Sequence, residues 1–153
     1  ADTVLAESAY YRFVFWSGMA APPPTPLATR HTLFSVSIGT SRGLKLQQAP
    51  FDQHATALLD PRHYGATQAL GSAMRDAGIE AFEYRSARDP QQGLNVALFT
   101  PAALGSPKPD ILDEWLCQTT AERVSYYSRS GGGVREFPVE TFQVDGELPL
   151  PAA

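Results

Sequence analysis

The residues best suited to chemistry gather in two short stretches. Leu5-Ala6-Glu7-Ser8-Ala9-Tyr10-Tyr11-Arg12 sets a carboxylate, two phenols and a guanidinium within about two turns of a helix. Tyr84-Arg85-Ser86-Ala87-Arg88-Asp89 sets a hydroxyl between two guanidiniums. A carboxylate can hold a hydroxyl or stand beside developing positive charge. A serine hydroxyl donates or accepts, and a guanidinium holds phosphate oxygens. Composition alone favours a plainer reading of both stretches. The first is then a solvated helix face, with Glu7 and Tyr11 an i, i+4 pair. The second is a polar loop whose Arg88–Asp89 surface pair contributes little.

Other chemistries find less support. His31, His54 and His63 include no i, i+4 pair, and no carboxylate is spaced to complete a metal site, so none is expected. The single Cys117 excludes an intrachain disulfide and a Cys-based zinc site, and it fits a reducing compartment. Neither G-x-G-x-x-G nor G-x-x-x-x-G-K-[ST] occurs, and there is no G-x-S-x-G nucleophile elbow. The 153 residues suit one domain with a sizeable core, and 43% hydrophobic with 18% charged residues is a globular composition. A net charge of −4 and a pI near 5.3 argue against direct binding of nucleic acid or anionic membrane. No apolar run approaches the roughly 20 residues of a membrane span.

The clusters need elements to position them. The spacing predicts a helix over residues 3–16, capped by Asp2, with Leu5, Ala9, Phe13 and Trp16 on one stripe. Glu7 and Tyr11 share another face. Gly18 and the Pro22-Pro23-Pro24-Thr25-Pro26 run end it. Phe34, Val36 and Ile38 alternate with serines as a half-buried strand, and Leu44 and Leu46 suggest a short second one. A helix follows over residues 63–77, with Leu70, Met74 and Ala77 facing inward and Gly78 at the left-handed end position. Residues 79–84 form a strand leading into a polar loop over residues 85–93. Residues 94–99 read as the central strand, buried on both faces. A short helix is expected over residues 110–116. Strands are expected over residues 124–127 and 137–144, split by Gly131-Gly132-Gly133. The Pro-rich residues 148–153 are expected to trail over the surface. The fold class is α+β, a mixed and mostly antiparallel sheet with a few helices.

A family resemblance links the two clusters. Gly78-Ile79-Glu80-Ala81-Phe82-Glu83-Tyr84-Arg85-Ser86-Ala87-Arg88, then Gly93-Leu94-Asn95-Val96-Ala97-Leu98-Phe99, resembles the C-terminal signature of RES-domain proteins, named for their Arg, Glu and Ser. Leu5-Ala6-Glu7 with Tyr10-Tyr11-Arg12 resembles the family's Glu-bearing helix. Leu59-Asp60-Pro61 with Tyr64, Thr67, Gln68 and Gly71 resembles the helix that leads into the Ser loop in one subgroup. The likeness runs over about residues 3–115.

The resemblance implies a fold related to ADP-ribosyltransferases and a cytoplasmic bacterial toxin that degrades NAD, with water or phosphate accepting the ADP-ribose. NAD is then substrate, and no further cofactor is implied. The implied partner is a helix-turn-helix antitoxin or an immunity protein; a homo-oligomer stays open. Glu7 and Ser86 match the family's active-site Glu and Ser, and the two are expected to face one cleft. Tyr11, Arg12, Arg85 and Arg88 are the binding residues available, and the resemblance does not choose among the arginines for the pyrophosphate. In the family an Arg and a Tyr lie upstream of the Glu helix, whereas residues 1–6 contain neither. Residues 1–147 are therefore expected to be a RES-like domain lacking the family's N-terminal part, with residues 148–153 a tail. That expectation carries two others: weak or no NAD binding by these residues alone, and uncovered apolar surface near the first helix. The competing functions are a non-catalytic RES-like interaction domain and an ADP-ribosyltransferase acting on a macromolecule.

Overall fold

Residues 2–17 contain neither Gly nor Pro, and in the computed structural model, which describes residues 1–151, they form α1 (Asp2–Ser17). Leu5, Ala9 and Phe13 of the expected stripe are buried, joined by Ala6 and Tyr10, while Trp16 is only half-buried. Asp2 is not the cap. Ala1 holds that position, and the Asp2 carboxylate accepts from Arg135 Nε at 2.7 Å, an ion pair that keeps the Asp2 carboxyl below its ordinary pKa.

Under α1 lies an antiparallel sheet in the order β1-β5-β6-β7, built from β1 (Leu27–Ser35), β5 (Ile111–Thr119), β6 (Arg123–Ser128) and β7 (Val134–Pro138). Trp115, Cys117, Val124 and Tyr126 from this sheet, with Phe142 beyond β7, close the core against Leu5, Ala9, Tyr10 and Phe13. In place of the helix expected over residues 110–116, the chain from Ile111 onward is strand. Trp115, Cys117 and Thr119 alternate inward while Glu114 and Gln118 face out, and β5 pairs with β1 and β6 on its two sides. The β1 strand also departs from expectation. It starts at Leu27 and ends at Ser35, and Thr29, His31 and Leu33 point inward, leaving Phe34 63% exposed. The period was right and the phase one residue off, which turns every side chain to the other face. Residues 137–144 are strand only to Pro138, where the missing N–H ends the ladder; Val139–Phe142 then forms a 3-10 turn that delivers Phe142 to the core.

A second sheet has the order β2-β3-β4, from β2 (Gly43–Lys45), β3 (Ala81–Arg85) and β4 (Leu94–Leu98). The central strand is β3, parallel to β2 and antiparallel to β4. Strand β4 is an edge rather than the central strand, with Leu94 and Val96 about half exposed; its largely apolar run, broken by Asn95, does not distinguish an edge from a centre, and the pairing does. In the chain between β2 and β3 run α2 (Ala55–Leu58) and α3 (Gly65–Asp76). In α3 Met74 is buried and Leu70 half-buried, but Ala77 lies beyond the helix and is exposed. Gly78, at φ +69°, ends α3 with Ile79 N donating to Met74 O and Gly78 N to Arg75 O, as a glycine stop does. This stop feeds the chain straight into β3 and its following loop.

Candidate active-site cleft

The two clusters meet. Glu7 projects from α1 on a face other than the Leu5–Ala9–Phe13 stripe, and Ser86 sits where β3 ends. Although 79 positions apart, the Ser86 hydroxyl donates to Glu7 Oε1 at 2.5 Å. Asn95 on β4, opposite Tyr84 of β3, donates from Nδ2 to the same Oε1 at 2.9 Å. Among the described residues Oε2 has no protein donor, and Glu7 lines the main cleft.

The loop over residues 86–93 leaves Ser86 little freedom. Its Oγ accepts from Arg88 N at 3.1 Å and Asp89 N at 2.9 Å, so its one proton goes to Glu7. The residue is fully buried, behind the carboxylate rather than at the cleft surface. With its proton committed to the carboxylate, Ser86 fixes the orientation of Glu7. Asp89, also buried, accepts from Gln91 N, Gly93 N and the Thr3 hydroxyl, which ties the loop to the first turn of α1. Gly93 is required by close approach: a Cβ there would lie 2.0 Å from Thr3 Oγ1 and 2.8 Å from Asp89 Oδ2.

The cleft encloses about 520 Å³, within the ordinary range for small-molecule sites. Its lining combines polar groups, Glu7, Tyr11, Tyr84, Arg85 and Arg88, with apolar ones, Leu46, Leu58, Leu70, Met74 and Phe82. Arg88 Nη2 reaches the hydroxyls of Tyr10 at 3.1 Å and Tyr64 at 2.5 Å and the Pro61 carbonyl at 3.0 Å, and the guanidinium lies over the Tyr10 ring at 3.8 Å. Burial pushes the Tyr10 phenol up to about 12 against the opposing pull of Arg88. Burial, and next the Glu7 charge, also raise Tyr84. Both phenols therefore stay protonated near neutral pH as donors.

Of the six residues singled out in the sequence, five fall at this site: Glu7, Tyr11, Arg85 and Arg88 line the cleft, and Ser86 stands behind Glu7. Arg12 does not join them. It turns toward the four-stranded sheet, where Nε donates to Thr119 Oγ1 at 3.1 Å and Nη2 is buried without a partner. One residue further round the helix from Tyr11 is enough to reverse the side it faces. Arg85 is exposed, and its Nη1 donates to the Gln92 carbonyl at 3.3 Å. Sequence reasoning missed Asn95, Asp89 and Thr3 as supports. Asn95 carried a signal, since an amide inside an otherwise apolar strand needs a polar partner. Thr3 carried none, because its partner lies across the fold.

Among the described residues no group of three or more His, Cys, Asp or Glu is placed to hold a metal ion, and no helix is long and apolar enough to cross a membrane. A family model described as RES domain matches residues 1–120, which hold α1, the Ser86 loop and every cleft-lining residue named above. No curated protein matches the chain.

Proposed function

The chain belongs to the RES-domain family, and on that premise we propose that it is an NAD-degrading enzyme. RES domains are known in toxin–antitoxin pairs, which supports a toxin-like role. In the proposed reaction the bond between nicotinamide and ribose breaks, nicotinamide leaves with the bonding electron pair, and water or phosphate takes the ADP-ribose. Positive charge builds on the sugar as the bond lengthens, as in glycoside cleavage. The observation that carries this reading is the Glu7 carboxylate, fixed through Oε1 by Ser86 and Asn95 and left free at Oε2 on the cleft wall. A carboxylate held in place before the reaction gives most help where charge appears only in the transition state. Glu7 is the catalytic residue in this proposal; Ser86 and Asn95 position it. Arg88, which has no carboxylate partner among the described residues, and Arg85 supply positive charge for the pyrophosphate. Tyr11 and Tyr84 supply ring faces, and the fold is akin to that of ADP-ribosyltransferases.

The purified protein is incubated with NAD, with and without phosphate, and the products are separated by chromatography. Release of free nicotinamide is expected, against the weak binding implied by the lack of an Arg or Tyr ahead of Glu7, because the held carboxylate and Arg88 already line one cleft. ADP-ribose or its phosphorylated form identifies the acceptor, and an ADP-ribose adduct on protein would mark a transferase instead. Absence of nicotinamide release would sink the enzymatic reading. A second reading, a protein-interaction domain, draws on the exposed Phe34, Ile111 and Leu112 where β1 and β5 pair at one end of the sheet. The proposed partner, a helix-turn-helix antitoxin, is compatible with either reading.

A further inference from the structure

Residues 148–151 were expected to trail, and instead they are fastened. Leu148 packs against the core cluster and Pro149 is buried. The Tyr10 hydroxyl donates to the Pro149 carbonyl at 2.6 Å, and the Tyr64 hydroxyl reaches the Leu150 carbonyl at 3.2 Å. Both phenol oxygens accept from one nitrogen, Arg88 Nη2. Upstream, Arg62 pairs with Asp145 at 2.7 Å and also donates to the Val144 carbonyl, steadying the turn that precedes the segment. Pro151 then lines the same cleft as Glu7. All of this lies beyond the residues 1–120 that match the RES family.

We propose that residues 148–151 are a strap forming one wall of the cleft, and that the Tyr10–Arg88–Tyr64 clasp sets ligand affinity by holding that wall in place. The ligand's identity as NAD rests on the reading above. Tyr10 donates to the strap and accepts from the guanidinium, while the one Tyr64 proton is shared between the Leu150 carbonyl at 3.2 Å and the Pro61 carbonyl at 3.0 Å, and hydrogen bonds chained in this way strengthen one another. Pro149 and Pro151 restrict the backbone, so a few such bonds suffice to fix the segment. A wall already in place spares a ligand the cost of ordering it on binding. The clasp's side-chain bonds do not reach Glu7, and Arg88 meets Ser86 only through its backbone N–H, which the phenol exchanges leave in place, so the strap acts on binding and leaves bond-breaking to Glu7.

The test uses the full chain carrying Leu150→Cys with an environment-sensitive fluorophore. Leu150 is 65% exposed and Cys117 is fully buried, so labelling is selective. In Tyr10→Phe/Tyr64→Phe, which keeps both rings, the dye's anisotropy falls, KM for NAD rises about tenfold and kcat stays within about twofold. Should that pair fail to fold, Tyr64→Phe alone, at the half-buried rim, gives the same directions at smaller amplitude. Unchanged anisotropy overturns the clasp. A fall in anisotropy with unchanged KM overturns the wall. An unaltered chain that never turns over NAD sinks the NAD reading instead, and the anisotropy still decides whether the clasp holds the strap.

Discussion

Helix α1 separates two environments that hold their residues in different ways. On one side Leu5, Ala9 and Phe13 press into Trp115, Cys117, Val124, Tyr126 and Phe142, and contact with apolar surface does the holding. On the other, Glu7 is held by two hydrogen bonds, from a buried loop serine and an edge-strand amide. The packed side tolerates exchange among apolar groups of similar volume, because burial has no direction. The cleft side depends on donors at fixed positions, and each donor depends on further bonds behind it: Ser86 on Asp89 N, Asp89 on Thr3 and Gly93. A packed core and a hydrogen-bonded cleft thus occupy different faces of one helix.

The comparison is broken most forcefully on the packed side. Phe13→Ala should lower unfolding stability by about 3–5 kcal/mol, since the ring is 2% exposed and its loss leaves a cavity beneath α1. Denaturant titration measures this. Any turnover that survives, measured well below the new midpoint, should keep its KM, because no cleft-lining group is removed. A loss under about 1 kcal/mol would mean that the core reorganises around the gap.

Glu7→Gln breaks the other side. The swap keeps size and removes charge, so NAD turnover should fall by about 100-fold or more, while stability shifts by less than about 1 kcal/mol. The two variants together form a crossed pair, one moving the unfolding midpoint and the other moving turnover. Turnover unchanged in Glu7→Gln would reduce the carboxylate to a helix-surface group and leave the cleft without its chemistry.

The same division explains what could be read in the sequence. The α1 stripe was legible because contact with a sheet imposes a helical period. The Gly78 stop was legible because φ +69° favours glycine. The pairing of Glu7 with Ser86 came from family likeness and not from any period. Strand β5 was not legible: Ile111 and Leu112, each 66% exposed, look like the start of an apolar helix face, and only pairing with β1 and β6 makes Trp115, Cys117 and Thr119 alternate inward. The strap was missed because two prolines near a chain end usually mark a loose tail, and its anchors, Tyr10 and Tyr64, lie far away in sequence.

Arg12 gives the smallest effect and the finest test of the division, because it sits beside Tyr11 on α1 yet belongs to the sheet side. Its Nε bond to Thr119 favours the native state, while its buried Nη2 has no partner and opposes it. Arg12→Met keeps the aliphatic length, removes the orphan group and leaves the Thr119 hydroxyl with Cys117 Sγ at 3.7 Å as its remaining neighbour. The gain and the loss nearly offset, so stability near neutral pH should move by less than about 1 kcal/mol, and NAD turnover should not change. A third readout comes from His31. Burial, and next the Arg12 charge, depress its pKa from 6.5, so the folded state favours the neutral ring. The stability this gives is present above pH 6.5 and is lost as pH falls below it, where the unfolded chain takes up the proton first. Removing the Arg12 charge raises the His31 pKa and makes that acid-side decline shallower. NMR titration of the His31 ring, with denaturant midpoints on both sides of its pKa, measures the change. A large loss of turnover in Arg12→Met, with His31 unmoved, would place Arg12 on the cleft side after all and erase the line drawn along α1.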